Sequence, residues 1–433
     1  MDTAFDHRTP AAAQFSKSYR GWLLFVLMLV CTINYADRSV VNAVAEPLRR
    51  DLGISDFQLG LLQGLSFALL YSILGIPFGR LAERANRVRI IAAATAVWSV
   101  MTVLCGAAAS YAQLLLIRVG VGVGEAGFTA PASSILGDHF PKERRALATS
   151  LMMLGVPVGA LIGAVSGGII AQNVGWRWAF VIMGVPGLFI ALLVWLTLRE
   201  PPRGLIEGNP DTDVPSMAAV ARQCLSNPVF RHVTMGGLLG GFGLHGLGQF
   251  LGVYFVRVYG LSYAQGGAIY GITTFATVGG GLLVGGFMAD RLGRLSLKWL
   301  SLIPAIGMLL SAPLYLLAFS AERLPVAIVL IVVAGISLVL HYGPGMATIQ
   351  NLATARTRAS AIAFYQLIVN AVAMGLGTAL IGYLSDMFAA RLAPELGERA
   401  LATGLRYALM TSTVFYVWGG VHYLLAARHQ SRS

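Results

Sequence analysis

The sequence predicts an all-α membrane protein of twelve transmembrane helices arranged in two six-helix halves. Three observations predict it. The first is composition: 56% of the residues are hydrophobic, only 12% are charged and the mean hydropathy is +0.71, whereas a soluble domain carries about 25% charged residues. The second is a series of apolar runs near 21–43, 57–79, 90–109, 112–135, 147–171, 178–198, 232–256, 266–289, 299–319, 325–347, 360–384 and 403–426, each of roughly the length a helix needs to cross about 30 Å of hydrocarbon. The third is an internal repeat. Gly79-Arg80-Leu81-Ala82-Glu83-Arg84-Ala85-Asn86-Arg87 and Gly286-Phe287-Met288-Ala289-Asp290-Arg291-Leu292-Gly293-Arg294 place glycine, acid and arginines at matching offsets, 207 residues apart.

Charge placement sets the topology. Of the 31 basic residues, 21 fall in the tails and in one alternate set of connections, and eight fall in the other set. Basic residues accumulate in cytoplasmic loops, so both termini are expected in the cytoplasm of a multi-pass protein, as in a bacterial inner membrane. The net charge of +12 is thereby a topology signal, and no nucleic-acid partner is expected. Cys31, Cys105 and Cys224 show no paired or CxxC spacing, so neither a disulfide framework nor a metal site is indicated. No HExxH or GxSxG motif occurs, which argues against an enzyme.

In chain order, residues 1–20 are a polar cytoplasmic tail without the pattern of a cleavable signal. The first half spans 21–198. Its first span carries Asn34-Tyr35-Ala36-Asp37-Arg38 in the outer half, and its fourth carries Arg118-Val119-Gly120-Val121-Gly122-Val123-Gly124-Glu125-Ala126-Gly127. Residues seven apart on a helix share a face, so Arg118 and Glu125 lie about 10 Å apart along one side. A charge at the bilayer centre costs roughly 2.5 to 3.5 kcal/mol on insertion scales, so that side faces a protein interior or a watered cavity and marks a working site. The glycines at 120, 122, 124 and 127 let a neighbouring helix come close. Asp37 and Arg118 sit at similar depth, either as a structural ion pair or as groups that titrate or touch substrate. Glu125 is either a proton carrier or an ionised lock for Arg118 or Arg38. Asp37 and Glu125 are the only acids well inside a span.

A polar linker, 199–231, precedes the second half, 232–427, and a short tail, 428–433. The second half offers neutral polar groups: His245, Gln249 and Tyr254 on span seven, His341 and Tyr342 on span ten, and Gln366 and Asn370 on span eleven. His245 and Gln249 share a face by their i, i+4 spacing. His341-Tyr342-Gly343-Pro344-Gly345 predicts a broken inner end to span ten, serving either as a gate or as a packing kink. Arg257, in contrast, is expected on the outer surface without a part in binding.

Gly286 to Arg294, its altered copy around Glu83, Arg118-x-x-x-Gly122-x-Gly124-x-Ala126 and Gly175-Trp176-Arg177-Trp178-Ala179-Phe180 together resemble the motifs of the major facilitator superfamily. The resemblance covers nearly the whole chain. Asn34 to Arg38 with Gly122 to Gly127 is similar to that family's Spinster-like branch, associated with proton-coupled export of sphingosine 1-phosphate and lysophospholipids. The resemblance implies that Glu83 caps span eleven and Asp290 span five, closing the cytoplasmic side. Arg84, Arg87, Arg291 and Arg294 either join that closure or serve as topology charges alone.

The expected function is proton-coupled transport of an amphipathic anion by alternating access, with no cofactor beyond protons and a monomeric chain in the bilayer. Asp37 and Glu125 would carry protons. Arg38, Arg118, Tyr35, Asn34, His245, Gln249, His341, Tyr342 and Asn370 would bind substrate or form ion pairs, and Glu83, Arg84, Asp290 and Arg291 would gate. The rivals are a carrier for a small organic acid or drug and, in a different class, a membrane lipid sensor that transports nothing.

Overall fold

The computed structural model describes residues 15–140, 142–202, 217–353 and 357–430, except the side chains of 65–70, 72, 76, 83, 142, 143, 146, 217, 358, 359, 370 and 371. The described residues form α-helices and no strand. In the first half, α1 (Lys17–Ala43) makes the first passage and α2 (Ala45–Leu52) lies beyond its end. The second passage joins α3 (Asp56–Gln63) to α4 (Leu65–Arg84), and the third is α5 (Arg87–Cys105). The fourth joins α6 (Tyr111–Glu125) to α7 (Thr129–His139), the fifth joins α8 (Lys142–Met153) to α9 (Gly155–Asn173), and the sixth is α10 (Trp176–Thr197).

A short helix, α11 (Met217–Ser226), leads into the second half. There α12 (Pro228–Tyr259), α13 (Tyr263–Gly293) and α14 (Trp299–Ser320) are passages seven to nine. The tenth joins α15 (Leu324–Val339) to α16 (Tyr342–Leu352), and α17 (Arg358–Leu396) and α18 (Ala400–Gln430) complete twelve. An even number of passages returns the chain to the end where it began, the terminal end; the opposite end is the far end. The predicted linker is shorter than expected, since α11 occupies part of it and α12 starts at Pro228, with Asn227 accepting from the Val229 and Phe230 N–H groups. Residues 203–216 of that linker lie outside the described residues.

Sequence dictates the breaks and ends locally. Asn227 caps α12 with proline at its first position, where no N–H is needed. The predicted interruption of span ten is present between Val339 and Tyr342, with Pro344 in the first turn of α16. Spans two, four and five are also broken, at Gly64, at Ala126 to Phe128 and at Leu154. The internal repeat extends to the far end as well. Gly53 and Gly260 adopt left-handed φ of 62° and 65°, a conformation glycine adopts at little steric cost. Two residues later, Ser55 with Gln58 and Ser262 with Gln265 each form a reciprocal capping box that opens α3 and α13. These pairs are again 207 apart.

Close packing orients α1. Gly155, Gly159 and Gly163 recur every four residues on α9, and a Cβ on any of them would run into α1 backbone at Met28, Thr32 or Ala36. Small residues at that spacing let two helix backbones touch. The face of α1 bearing Asp37 and Arg38 is therefore fixed in rotation by its neighbour.

Candidate functional site

Glu125 ends α6, and the whole side chain is buried. Its Oε2 accepts from Arg38 Nε at 2.6 Å and lies within 2.6 Å of Nη2 in the same ion pair. The partner of Glu125 is thus Arg38 on α1, one of the two alternatives left open by the sequence. A separation of two turns keeps Arg118 about 10 Å along the axis from Glu125, so a contact ion pair has to come from another helix. The Arg38 guanidinium also lies over the Tyr35 and Tyr71 rings, at 4.9 and 5.0 Å, where ring faces attract a cation. Asn34 adjoins Glu125.

Asp37 is fully buried. Thr102 on α5 donates to its Oδ2 at 3.2 Å, while Oδ1 has no hydrogen-bond partner among the described residues. Glu125 and Arg118 both act on it electrostatically, and Arg118 is itself buried. Two carboxylates and two guanidiniums therefore share one buried cluster between α1, α5 and α6. The glycine expectation holds at Gly120, Gly124 and Gly127, which face Met101, Trp98 and Ala94 of α5; a Cβ on Gly124 would sit 2.7 Å from the Trp98 nitrogen.

The cluster borders a cavity of about 250 Å³ between the halves, reached by Tyr35, Arg38 and Arg118 from one side and by His245, Gln249 and Thr274 from the other. Most of the remaining wall is apolar, including Leu244, Leu247, Leu251, Val278 and Ile331. His245 and Gln249 share the cavity face as their spacing implied. His341 is buried, with Nδ1 2.7 Å from the Leu338 carbonyl. Tyr342, next along, is 48% exposed. Tyr254 points elsewhere, into an aromatic cluster with Phe255, Tyr259 and Phe319. The side chain of Asn370 lies outside the described residues.

The far end is sealed by a network that the sequence reading missed. Arg257 on α12 donates to Glu46 at 2.7 Å and bidentately to Asp56 at 2.6 and 2.7 Å. The three side chains are 4%, 3% and 1% exposed. Ser385 on α17 donates to Asp56, and Asp386 accepts the backbone N–H groups of Asp56 and Phe57, capping α3 from the other half. The expectation of Arg257 as an uninvolved surface residue is therefore wrong. Its place at the end of an apolar run looked solvated, but two acids from the other half enclose it. The only cue was that Glu46 and Asp56 stand at the same end of the bundle.

At the terminal end Arg84, Asp290 and Arg291 are exposed, and among the described residues no ion pair across the halves brings them together; the side chain of Glu83 lies outside the described ones. Arg87 is more than a topology charge. It is 2% exposed and binds Asp138, Glu200, Ser134 and the Pro201 carbonyl, fastening α5 to the ends of α7 and α10 within one half. Trp176 and Arg177 likewise have a local task. They donate to Asp51 at 3.1 and 2.6 Å, and the Arg177 and then the Trp176 hydrogen bond hold that carboxyl below its usual range.

Comparison with known proteins agrees with this architecture. The family model described as Major Facilitator Superfamily matches residues 27–378. An MFS-type efflux pump of Mycolicibacterium smegmatis is 33% identical, over 95% of this chain and 94% of that protein. Protein spinster homolog 1 of Xenopus tropicalis is 30% identical, over 98% of this chain and 84% of that protein. A crystal structure of a bacterial homolog of the human lysosomal transporter Spinster, inward-facing and unoccupied, is 32% identical and superposes with a TM-score of 0.89 over 96% of this chain and 99% of that one. The same homolog in its inward-facing, occupied conformation gives 0.84. Twelve passages, a two-half cavity and these relatives together assign the chain: it belongs to the Major Facilitator Superfamily and, within it, to the Spinster-like transporters.

Proposed function

We propose that this transporter couples protons to the movement of an amphipathic anion, such as a lysophospholipid or sphingoid phosphate, by alternating access as a monomer. The observation that carries the reading is the cluster of Asp37, Arg38, Arg118 and Glu125, which reaches a mostly apolar cavity through its two arginines. An arriving anion competes with Glu125 for a guanidinium. A carboxylate that loses its cation holds a proton more readily, so substrate arrival and proton uptake favour one another. The apolar wall suits a tail, and a planar guanidinium suits a phosphate or carboxylate head. The sealed far end, with the termini in the cytoplasm by the positive-inside rule, corresponds to a cavity reached from the cytoplasm. The setting is a bacterial inner membrane. Glu83 and Asp290, with Arg84 and Arg291, would close the cytoplasmic side in the opposite state.

A second reading is export of a drug or small organic acid, favoured by the similarity to the Mycolicibacterium efflux pump. Proteoliposomes loaded with a lysophospholipid, a short organic acid or a cationic dye separate the two. The lipid reading predicts pH-gradient-dependent movement of the lysophospholipid above the others. Transport of the acid or dye alone would overturn it.

A further inference from the structure

Two buried amides and a third that is half-buried line the cavity and play no part in the ion-pair cluster. Gln63 ends α3 at the break before α4 and is 3% exposed, yet neither its Oε1 nor its Nε2 has a hydrogen-bond partner among the described residues. Asn42, 6% exposed on α1, donates through Nδ2 to the Tyr270 hydroxyl at 2.8 Å and leaves Oδ1 without a partner. Gln249 on α12 has a buried Oε1 in the same condition. All three line the cavity that Arg38 and Arg118 reach.

Leaving a buried polar group without a hydrogen bond destabilises the fold, and apolar side chains at these positions would avoid that. Their presence around one cavity thus points to a partner that enters it. Its chemistry follows from the amides themselves. The oxygen and nitrogen of an amide can exchange places by a flip, so the wall presents acceptors and donors together. An anionic oxygen only accepts and an ammonium only donates, whereas a hydroxyl does both. We infer that this wall is a second, uncharged subsite that recognises hydroxyl groups of the transported molecule, of the vicinal kind found in glycerol, while the guanidiniums take its anionic group. Asn42 and Gln63 belong to the first half, and Gln249 and Tyr270 to the second. A polyol bound there bridges the two halves and ties recognition to their relative movement. The inference rests on the transport reading of the same cavity.

The test is equilibrium binding to the full chain in nanodiscs, using ligands matched in tail and charge. Dodecyl phosphoglycerol carries two hydroxyls, and dodecyl propyl phosphate carries none. With a hydrogen bond gained at each hydroxyl, the parent protein should prefer the first by about tenfold or more. Gln63→Leu combined with Gln249→Leu should bring the pair within about twofold by lowering the affinity for the phosphoglycerol, and an unchanged circular-dichroism melt shows that the variant is folded. Equal affinities in the parent mean that the amides serve only water, and a preference that survives the double variant means that hydroxyls are read elsewhere; either overturns the inference. A neutral pair, dodecylglycerol and dodecyl propyl ether, separates this inference from the anion reading. Preference for dodecylglycerol with no binding of either phosphodiester keeps the hydroxyl subsite and defeats the anion reading. Failure of every hydroxylated ligand to be preferred defeats the subsite.

Discussion

Arg38 lies within 2.6 Å of Glu125 yet keeps 18% of its side chain open, so neutralising the acid releases a cation that the cavity can solvate. Breaking a fully buried pair costs about 3 to 5 kcal/mol; the partial opening places Glu125→Gln at or below the lower end of that range. Glu125→Gln and Asp37→Asn are therefore each expected to fold and to transport without dependence on the pH gradient. Uptake into proteoliposomes measured with and without a gradient checks this, and an unchanged gradient dependence in both variants would remove the acids from coupling. Arg118→Lys should weaken binding of a phosphate-headed ligand by about tenfold or more, since lysine cannot form the bidentate fork. Arg399→Lys, at an exposed residue between α17 and α18, is the matched control; equal affinities for the two variants would leave Arg118 a structural charge. The charged residues inside spans were legible in the sequence because a charge at that depth needs a reason. Which charges pair was not legible, because spacing along α6 relates Arg118 to Glu125 only in direction, and the contact with Arg38 depends on how α1 is rotated against α9.

At the level of elements, the halves meet chiefly where α3 packs on α17 and α9 on α13, and the Arg257 network adds charge pairs to the far end. Arg257→Met removes one partner of two buried acids and should cost about 3 to 5 kcal/mol of that closure. Spin labels at residues 109 and 322, on exposed far-end loops of opposite halves, should report a longer distance in the variant. An unchanged distance distribution would show that apolar packing alone holds this end shut. The network was hidden from the sequence for a physical reason. Glu46, Asp56, Arg257 and Asp386 lie up to 340 positions apart, each at the end of an apolar run where charges are ordinarily solvated. The break in span ten was legible from Gly343 and Pro344. The breaks in spans two, four and five carry weaker local signals, since glycine also serves helix packing there, as at Gly64 against Thr378 and Gly124 against Trp98.

For the whole molecule, two six-helix halves enclose a cavity shut at one end, and the 207-residue repeat gives each half matching caps at the far end and matching loops at the terminal end. The twelve passages and the repeat were legible because spanning length, basic loops and turn residues are local signals. The conformation was not, because both end states satisfy the same pattern. Asp290, exposed in this state, should matter only in the opposite one, so Asp290→Ala is expected to leave folding unchanged and to deplete the state closed at the terminal end. Arg257→Met should act in the reverse direction, and interspin distances across the two ends would show opposite shifts; shifts of the same sign would refute a two-state rocking of the halves. The central claim is that substrate and proton share the Arg38–Glu125 cluster, and it is tested most directly by following proton movement with a dye inside proteoliposomes as lysophospholipid is added. The expected result is a proton flux linked to lipid movement in the parent protein, and lipid movement without that flux in Glu125→Gln. Lipid movement with no linked proton flux in the parent, or an undiminished flux in Glu125→Gln, would contradict it.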